Sequence, residues 1–258
     1  MTFSDLHHAT TPLLLPNAWD VASALAFADQ GFPAVGTTSF GVGATAGHAD
    51  GARASKDATA RLVHALAALP AYVSADVEDG YADDPDQVAA YVADLGAAGV
   101  NIEDSTDELL IDPAAHAAKV AAIKQRSPEV FVNARIDNYW LQQDATVPAV
   151  LRRADAYVAA GADGIFVPGA TDPADLRSLT AHIPVPVNVL MIGGLTLADL
   201  AGFGIRRVSS GSLPYRAAID AAAAVATTFR DGGTPLPATP YPQAQALLAR
   251  FDTLTRDR

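Results

Sequence analysis

The sequence predicts an α/β fold, a single (β/α)₈ barrel of eight parallel strands, on three observations. Eight short apolar runs alternate with Ala- and Leu-rich segments of helical period. The joints at 94–99 and 158–164 are helix ends that pass through glycine straight into a buried strand, as parallel βα repeats require. The chain has 258 residues and no break in composition, close to the roughly 250 that such a barrel uses.

The apolar runs fall at 12–16, 34–38, 71–78, 99–104, 130–136, 164–168, 186–191 and 206–211. Between them the 3.6-residue period predicts helices near 19–30, 55–69, 86–97, 113–126, 146–160, 173–182, 196–202 and 214–230, several opened by Asp-Pro or Ser/Thr caps. Eight units favour a closed barrel over an open doubly wound sheet, and the first loop, 16–20, lacks the glycine fingerprint of a dinucleotide site. The barrel is expected to fill 1–231. Residues 232–258 then form a Pro/Gly-rich linker and an amphipathic helix that packs on a neighbouring subunit or caps the barrel.

Composition excludes several classes of function. A net charge of −12 with no Lys/Arg cluster argues against nucleic acid. With no cysteine there are no disulfides, thiolate nucleophiles, zinc–thiolate sites or iron–sulfur clusters. The N-terminus has no basic stretch leading into an apolar one, and no apolar run is long enough for a bilayer, so no membrane partner and a cytoplasmic enzyme are expected.

Active sites of such barrels gather at the C-terminal ends of the strands. The third run ends Asp76-Val77-Glu78-Asp79-Gly80-Tyr81, and strand alternation would turn Asp76 and Glu78 to one face. The fourth run ends at Glu103-Asp104, next to that point. Three carboxylates without thiolates or paired histidines make a hard oxygen site, suited to Mg²⁺ or Mn²⁺ rather than Zn²⁺; solvated loop acids or helix caps would explain the same letters less well. In the fifth run Asn133, Arg135 and Asp137 share the inward face. Arg135 suits a substrate carboxylate with Asp137 orienting it, although a purely structural Arg–Asp pair fits too.

The loop from Gly36 to Gly51 is no P-loop. Its Thr38, Ser39 and Phe40 could present hydroxyl and backbone N–H groups to an oxyanion, or the segment could be a plain loop, and Asp50 could add an outer contact to metal-bound water. Of the histidines, His64, His116 and His182 read as structural and only His48 as near enough to reach the site. Trp19 walls the pocket or packs in the core, and Trp140 has no assigned role.

With these residues in place the chain resembles the isocitrate lyase/phosphoenolpyruvate mutase superfamily over nearly its whole length. The motifs are Leu15-Pro16-Asn17-Ala18-Trp19-Asp20, the loop from Thr37 to Gly41 leading to Asp50, the stretch from Asp76 to Tyr81, and Glu103-Asp104 with Asn133-Ala134-Arg135. The resemblance implies that Asp76, Glu78 and Glu103 hold Mg²⁺ directly or through water, with Asp50 joining through water. It also implies that Arg135 grips a substrate carboxylate, that Thr38, Ser39 and Phe40 bind the other end, and that Asn188 touches substrate. It further implies a homo-oligomer, dimer or tetramer, whose last helices swap between protomers.

The departures narrow the activity. The lyases' Lys-Lys/Arg-Cys-Gly-His loop is replaced by a shorter segment, Ser105 to Asp112, without Cys, Lys or His. The mutase's sixth-strand His is absent from Phe166-Val167-Pro168-Gly169. Isocitrate and methylisocitrate cleavage are therefore not expected, and phosphoryl chemistry loses support. The expectation is a Mg²⁺-dependent carbon–carbon lyase or decarboxylase of a small 2-keto or 2-hydroxy di- or tricarboxylic acid such as oxaloacetate. The alternatives are a phosphonopyruvate-type C–P enzyme and a non-catalytic binder of a keto dicarboxylate such as 2-oxoglutarate.

Overall fold

A computed structural model describes residues 1–256. Its main sheet is built from β1 (Leu13–Leu15), β2 (Asn17–Ala18), β3 (Ala34–Thr37), β4 (Tyr72–Asp76) and β5 (Gly99–Glu103), followed after a small hairpin, β6 (Ser105–Thr106) and β7 (Leu109–Leu110), by β8 (Phe131–Arg135), β9 (Gly164–Phe166), β10 (Val187–Leu190) and β11 (Arg207–Ser209). Every pairing in the main sheet is parallel. β1 and β2 are one strand divided at Pro16, which has no N–H to give a ladder. Its first half pairs with β11 and its second with β3, so the sheet closes on itself as a TIM-type barrel.

The helices are α1 (Val21–Asp29), α2 (Ser39–Thr45), α3 (Lys56–Ala65), α4 (Pro85–Leu95), α5 (Pro113–Arg126), α6 (Asn138–Leu141), α7 (Val147–Ala159), α8 (Pro173–His182), α9 (Leu197–Gly202), α10 (Leu213–Arg230) and α11 (Tyr241–Arg256). The Asp-Pro signals act as expected. Asp84, Asp112 and Asp172 each accept a first-turn N–H, and the following proline occupies a position where no N–H is needed. Gly96 closes α4 in the left-handed conformation at φ 61° before the chain enters β5.

One apolar cluster fills the layer between sheet and helices, and a smaller one of Phe3, Leu13, Leu15, Ala34 and Phe131 plugs the barrel floor. A 3-10 helix, Ser4–His8, lies below it, with His7 stacked on Phe131 at 4.0 Å. Gly99 is required there, because a Cβ would sit 2.6 Å from the Phe3 ring.

Two expectations need correction. The third strand stops at Asp76; Glu78 follows in a turn at φ 48°, so strand alternation does not govern where its side chain points. The segment after Thr38 is the short helix α2 rather than a loop. In the described chain α11 rests on α1 and Arg250 reaches Asp29, while α10 has no fully buried residue. None of the described helices is long and apolar enough to cross a membrane.

Candidate active site

The C-terminal ends of the strands surround a cavity of about 870 Å³. Asp76, Glu78, Glu103, Arg135, Thr38, Ser39, Phe40 and Asp50 all line it, so the structure brings together most of the residues singled out from sequence. Trp19, Asn188 and His48 do not line it. Trp19 packs edge-on against Tyr215 at 5.5 Å and supports the wall from behind. Asn188 is fully buried in the barrel, its amide donating to the Val189 and Arg207 carbonyls and its oxygen accepting from Asn133 and Ser209. No part of it is free for a substrate. His48 is exposed.

Asp76 ends β4 facing the N-terminus of α2. Its Oδ2 accepts from Ser39 N at 2.9 Å and Ser39 Oγ at 2.8 Å, whereas Oδ1 is buried and accepts from nothing. A buried carboxylate oxygen without a donor is costly unless something else meets it. Glu78 is tied sideways, with Oε1 taking Ser55 Oγ at 2.5 Å and Oε2 taking Arg53 N at 3.0 Å. Glu103 receives Arg135 Nη1 at 2.5 Å, and Arg135 Nε donates to Asp137 at 2.6 Å. Asp137 is itself fixed by Ser105 Oγ at 2.6 Å, while its backbone N–H donates to Asp104, which Tyr157 and Arg153 hold. Asp137 thus orients Arg135 as its inward parity suggested, leaving Nη2 with no partner among the described residues.

The acids strain one another electrostatically. Burial pushes Glu103 well above the ordinary carboxylate range; Arg135 opposes this, while Asp137, Asp76 and Asp50 add to it. Burial also raises Glu78 and Asp50, with Asp76 adding to each. A divalent cation would relieve that repulsion. Among the described residues no three His, Asp or Glu side chains form an all-protein metal cage. The donor set instead fits an ion that keeps most of its water, as Mg²⁺ does, with Asp76 Oδ1 as the available protein oxygen.

Sequence reasoning missed several participants. Asp79, read only as part of a motif, is buried and holds the mouth together through Arg53 Nε at 3.0 Å, Thr106 Oγ1 at 2.8 Å and Lys119 Nζ at 3.7 Å. Trp140 and Phe166 flank the Arg135 guanidinium at 5.7 and 5.9 Å. Arg216, on the first turn of α10, lines the cavity, is exposed and pairs with no described acid. Its helical position left it without a strand-end signal.

The profile of the phosphoenolpyruvate phosphomutase family matches residues 3–230. The chain belongs to that family. An uncharacterised protein of Mycobacterium tuberculosis (strain ATCC 25618 / H37Rv) is 56% identical over 255 residues, covering 99% of each chain. An oxaloacetate decarboxylase of Ectopseudomonas mendocina (strain ymp) is 33% identical over 169 residues, 60% of this chain and 57% of that protein. A crystal structure from Burkholderia cenocepacia J2315, provisionally described as a phosphonomutase, is 39% identical, with a TM-score of 0.83 over 87% of this chain and 97% of that one. A phosphonopyruvate hydrolase solved with oxalate and Mg²⁺ shares the fold at 23% identity, with a TM-score of 0.81 over 100% of this chain and 97% of that one. The phosphoenolpyruvate mutase/isocitrate lyase superfamily identified from sequence is therefore the right one.

Proposed function

We propose that this family member is a divalent-metal-dependent carbon–carbon lyase or decarboxylase of a small 2-keto or 2-hydroxy diacid. The observation that carries the reading is a pair of groups in one cavity wall: the donorless Oδ1 of Asp76 and the unpartnered Nη2 of Arg135. Asp76 would hold Mg²⁺ or Mn²⁺, with Glu78, Glu103 and Asp50 near enough to help, and the ion would supply Lewis-acid polarisation of a keto oxygen.

The chain's own residues do the rest. Arg135, locked by Glu103 and Asp137, offers its remaining Nη2 to the carboxylate next to the keto carbon. Thr38, Ser39 and Phe40 bound the opposite side, and Arg216 at the rim offers a cation to a second carboxylate. No Cys, His or Lys lines the cavity among the described residues. Loss of CO₂ needs no general acid to break the bond, because the electron pair passes into the keto group, so decarboxylation suits this lining. Retro-aldol cleavage needs a base for the hydroxyl proton, and Glu78, raised above its ordinary range by burial, is the candidate.

Oxaloacetate and a series of methyl-substituted malates, assayed with Mg²⁺, test the reading. Turnover of at least one is expected, falling about 100-fold or more in Glu103→Gln. Inertness towards all of them, or full activity in Glu103→Gln, would overturn it. Phosphate release from phosphonopyruvate would instead favour the C–P reading, to which the 39% identical Burkholderia protein lends weight. Binding of 2-oxoglutarate without any product would indicate a binding protein.

A further inference from the structure

Beneath the acids lies a polar network that the proposed chemistry does not use. Arg207, on β11, is 1% exposed and inside the barrel, and no carboxylate bonds to it. Its Nη2 donates to Asn101 Oδ1 at 3.0 Å, its Nε donates to Ser209 Oγ at 3.3 Å, and Nη1 has no partner. Burying an unpaired guanidinium is expensive, and burial lowers this one to about 9. Arginine only donates, so the atom it meets on Asn101 has to be the oxygen. Asn133 Nδ2 donates to that same oxygen at 2.8 Å, and Asn133 is anchored in turn by Asn188 at 3.0 Å.

Two donors on Oδ1 leave the other end of the Asn101 amide with one orientation. Its Nδ2 donates to no described residue, and the side chain, 5% exposed, lines the cavity floor next to Asp76, with which Asn101 is paired in register across β4 and β5. We infer that Asn101 is a substrate-contacting hydrogen-bond donor for a carboxylate or enolate oxygen of the bound keto acid, and that Arg207 is its positioning residue. This rests on the keto-acid reading above. Arg207, together with Asn133, opposes the amide flip that would turn an acceptor into the cavity, and its charge strengthens the donor. The chemistry is that of an oxyanion donor set in advance of the ligand, where little reorganisation is needed on binding.

The test uses oxalate, a planar dianion that resembles a pyruvate enolate, titrated calorimetrically in the presence of Mg²⁺. Asn101→Asp is isosteric and gives Arg207 a carboxylate, so its thermal midpoint should hold or rise, while its cavity end becomes an acceptor and oxalate affinity should fall at least tenfold. Asn101→Ala adds no charge and should also weaken oxalate about tenfold, although it is less stable. Arg207→Met, which leaves the amide held by Asn133 alone and removes the charge behind it, should weaken oxalate several-fold, and Arg207→Lys should recover part of the loss. Oxalate binding to Asn101→Asp or to a folded Asn101→Ala as tight as to the wild type would overturn the assignment, since a merely structural network would move stability and not affinity. Failure of the wild type itself to bind oxalate would instead strike the keto-acid reading on which the assignment stands.

Discussion

Asp79 shows how much a single buried charge holds at the mouth of this barrel. Burial alone would raise its carboxyl, but Arg53, Thr106 and Lys119 outweigh that and keep it below the ordinary range. Asp79→Asn would leave Lys119, 3% exposed, facing a neutral partner, and a loss of about 3 kcal/mol in urea unfolding is expected; a change below about 0.5 kcal/mol would mean that the cluster is solvated. Arg216 is proposed to act on the ligand rather than the fold. Arg216→Ala should raise KM for a diacid about tenfold with little change in melting temperature, and an unchanged KM would remove its assigned role. Asp76, Glu103 and Arg135 were legible in the sequence because strand parity and strand ends are local properties. Arg53 and Asn101 were not, since what they touch depends on loop closure and on cross-barrel register. Arg207 left one unused signal, a charged residue inside a buried run.

At the level of elements, the segment that replaces the longer loop of related lyases folds as the β6–β7 hairpin, and Thr106 ties it to Asp79. Its two turn residues, Asp107 and Glu108, sit at φ 50° and 61°, where Asn and Gly are at ease. Asp107→Asn with Glu108→Gly should therefore stabilise the protein by about 1 kcal/mol, read from urea unfolding, and destabilisation would contradict the turn geometry. The floor helix Ser4–His8 carries the opposite kind of sensitivity. Burial lowers His7 to about 3, with Arg207 adding to the fall, against an ordinary 6.5. Between those values the unfolded chain binds the extra proton and the fold does not, so stability falls as pH drops from about 6.5 towards 3, by up to about 1.4 kcal/mol per pH unit. His7→Phe should flatten that acid limb in denaturant titrations across pH; an unaltered limb would show that His7 takes a proton in place. The order of strands and helices was legible from periodicity and caps. The division of the first strand at Pro16 and the turn at Glu78 were not, because each answers to a hydrogen-bond partner elsewhere in the sheet.

Over the whole molecule, a strongly acidic chain surrounds a site proposed to take an anion, and positive groups are placed within it: Arg135 and Arg216 on the cavity, Arg207 below. The outer surface carries a second feature. Helix α10 has no fully buried residue and exposes Ile219, Val225 and Phe229 towards one side, with Leu213 exposed at its start, apolar surface of the kind that marks a contact between subunits. A dimer or tetramer is the expected state in sedimentation equilibrium, with Ile219→Asp and Phe229→Asp together shifting it to monomer; a monomeric wild type at micromolar concentration would contradict this. The central claim concerns what the acid site does to a keto acid, and its most direct measurement is NMR of oxaloacetate mixed with the purified protein and Mg²⁺. Pyruvate should form well above the rate set by Mg²⁺ alone and return to that rate with Asp76→Asn or with chelator, whereas equal rates with and without the protein would contradict the account.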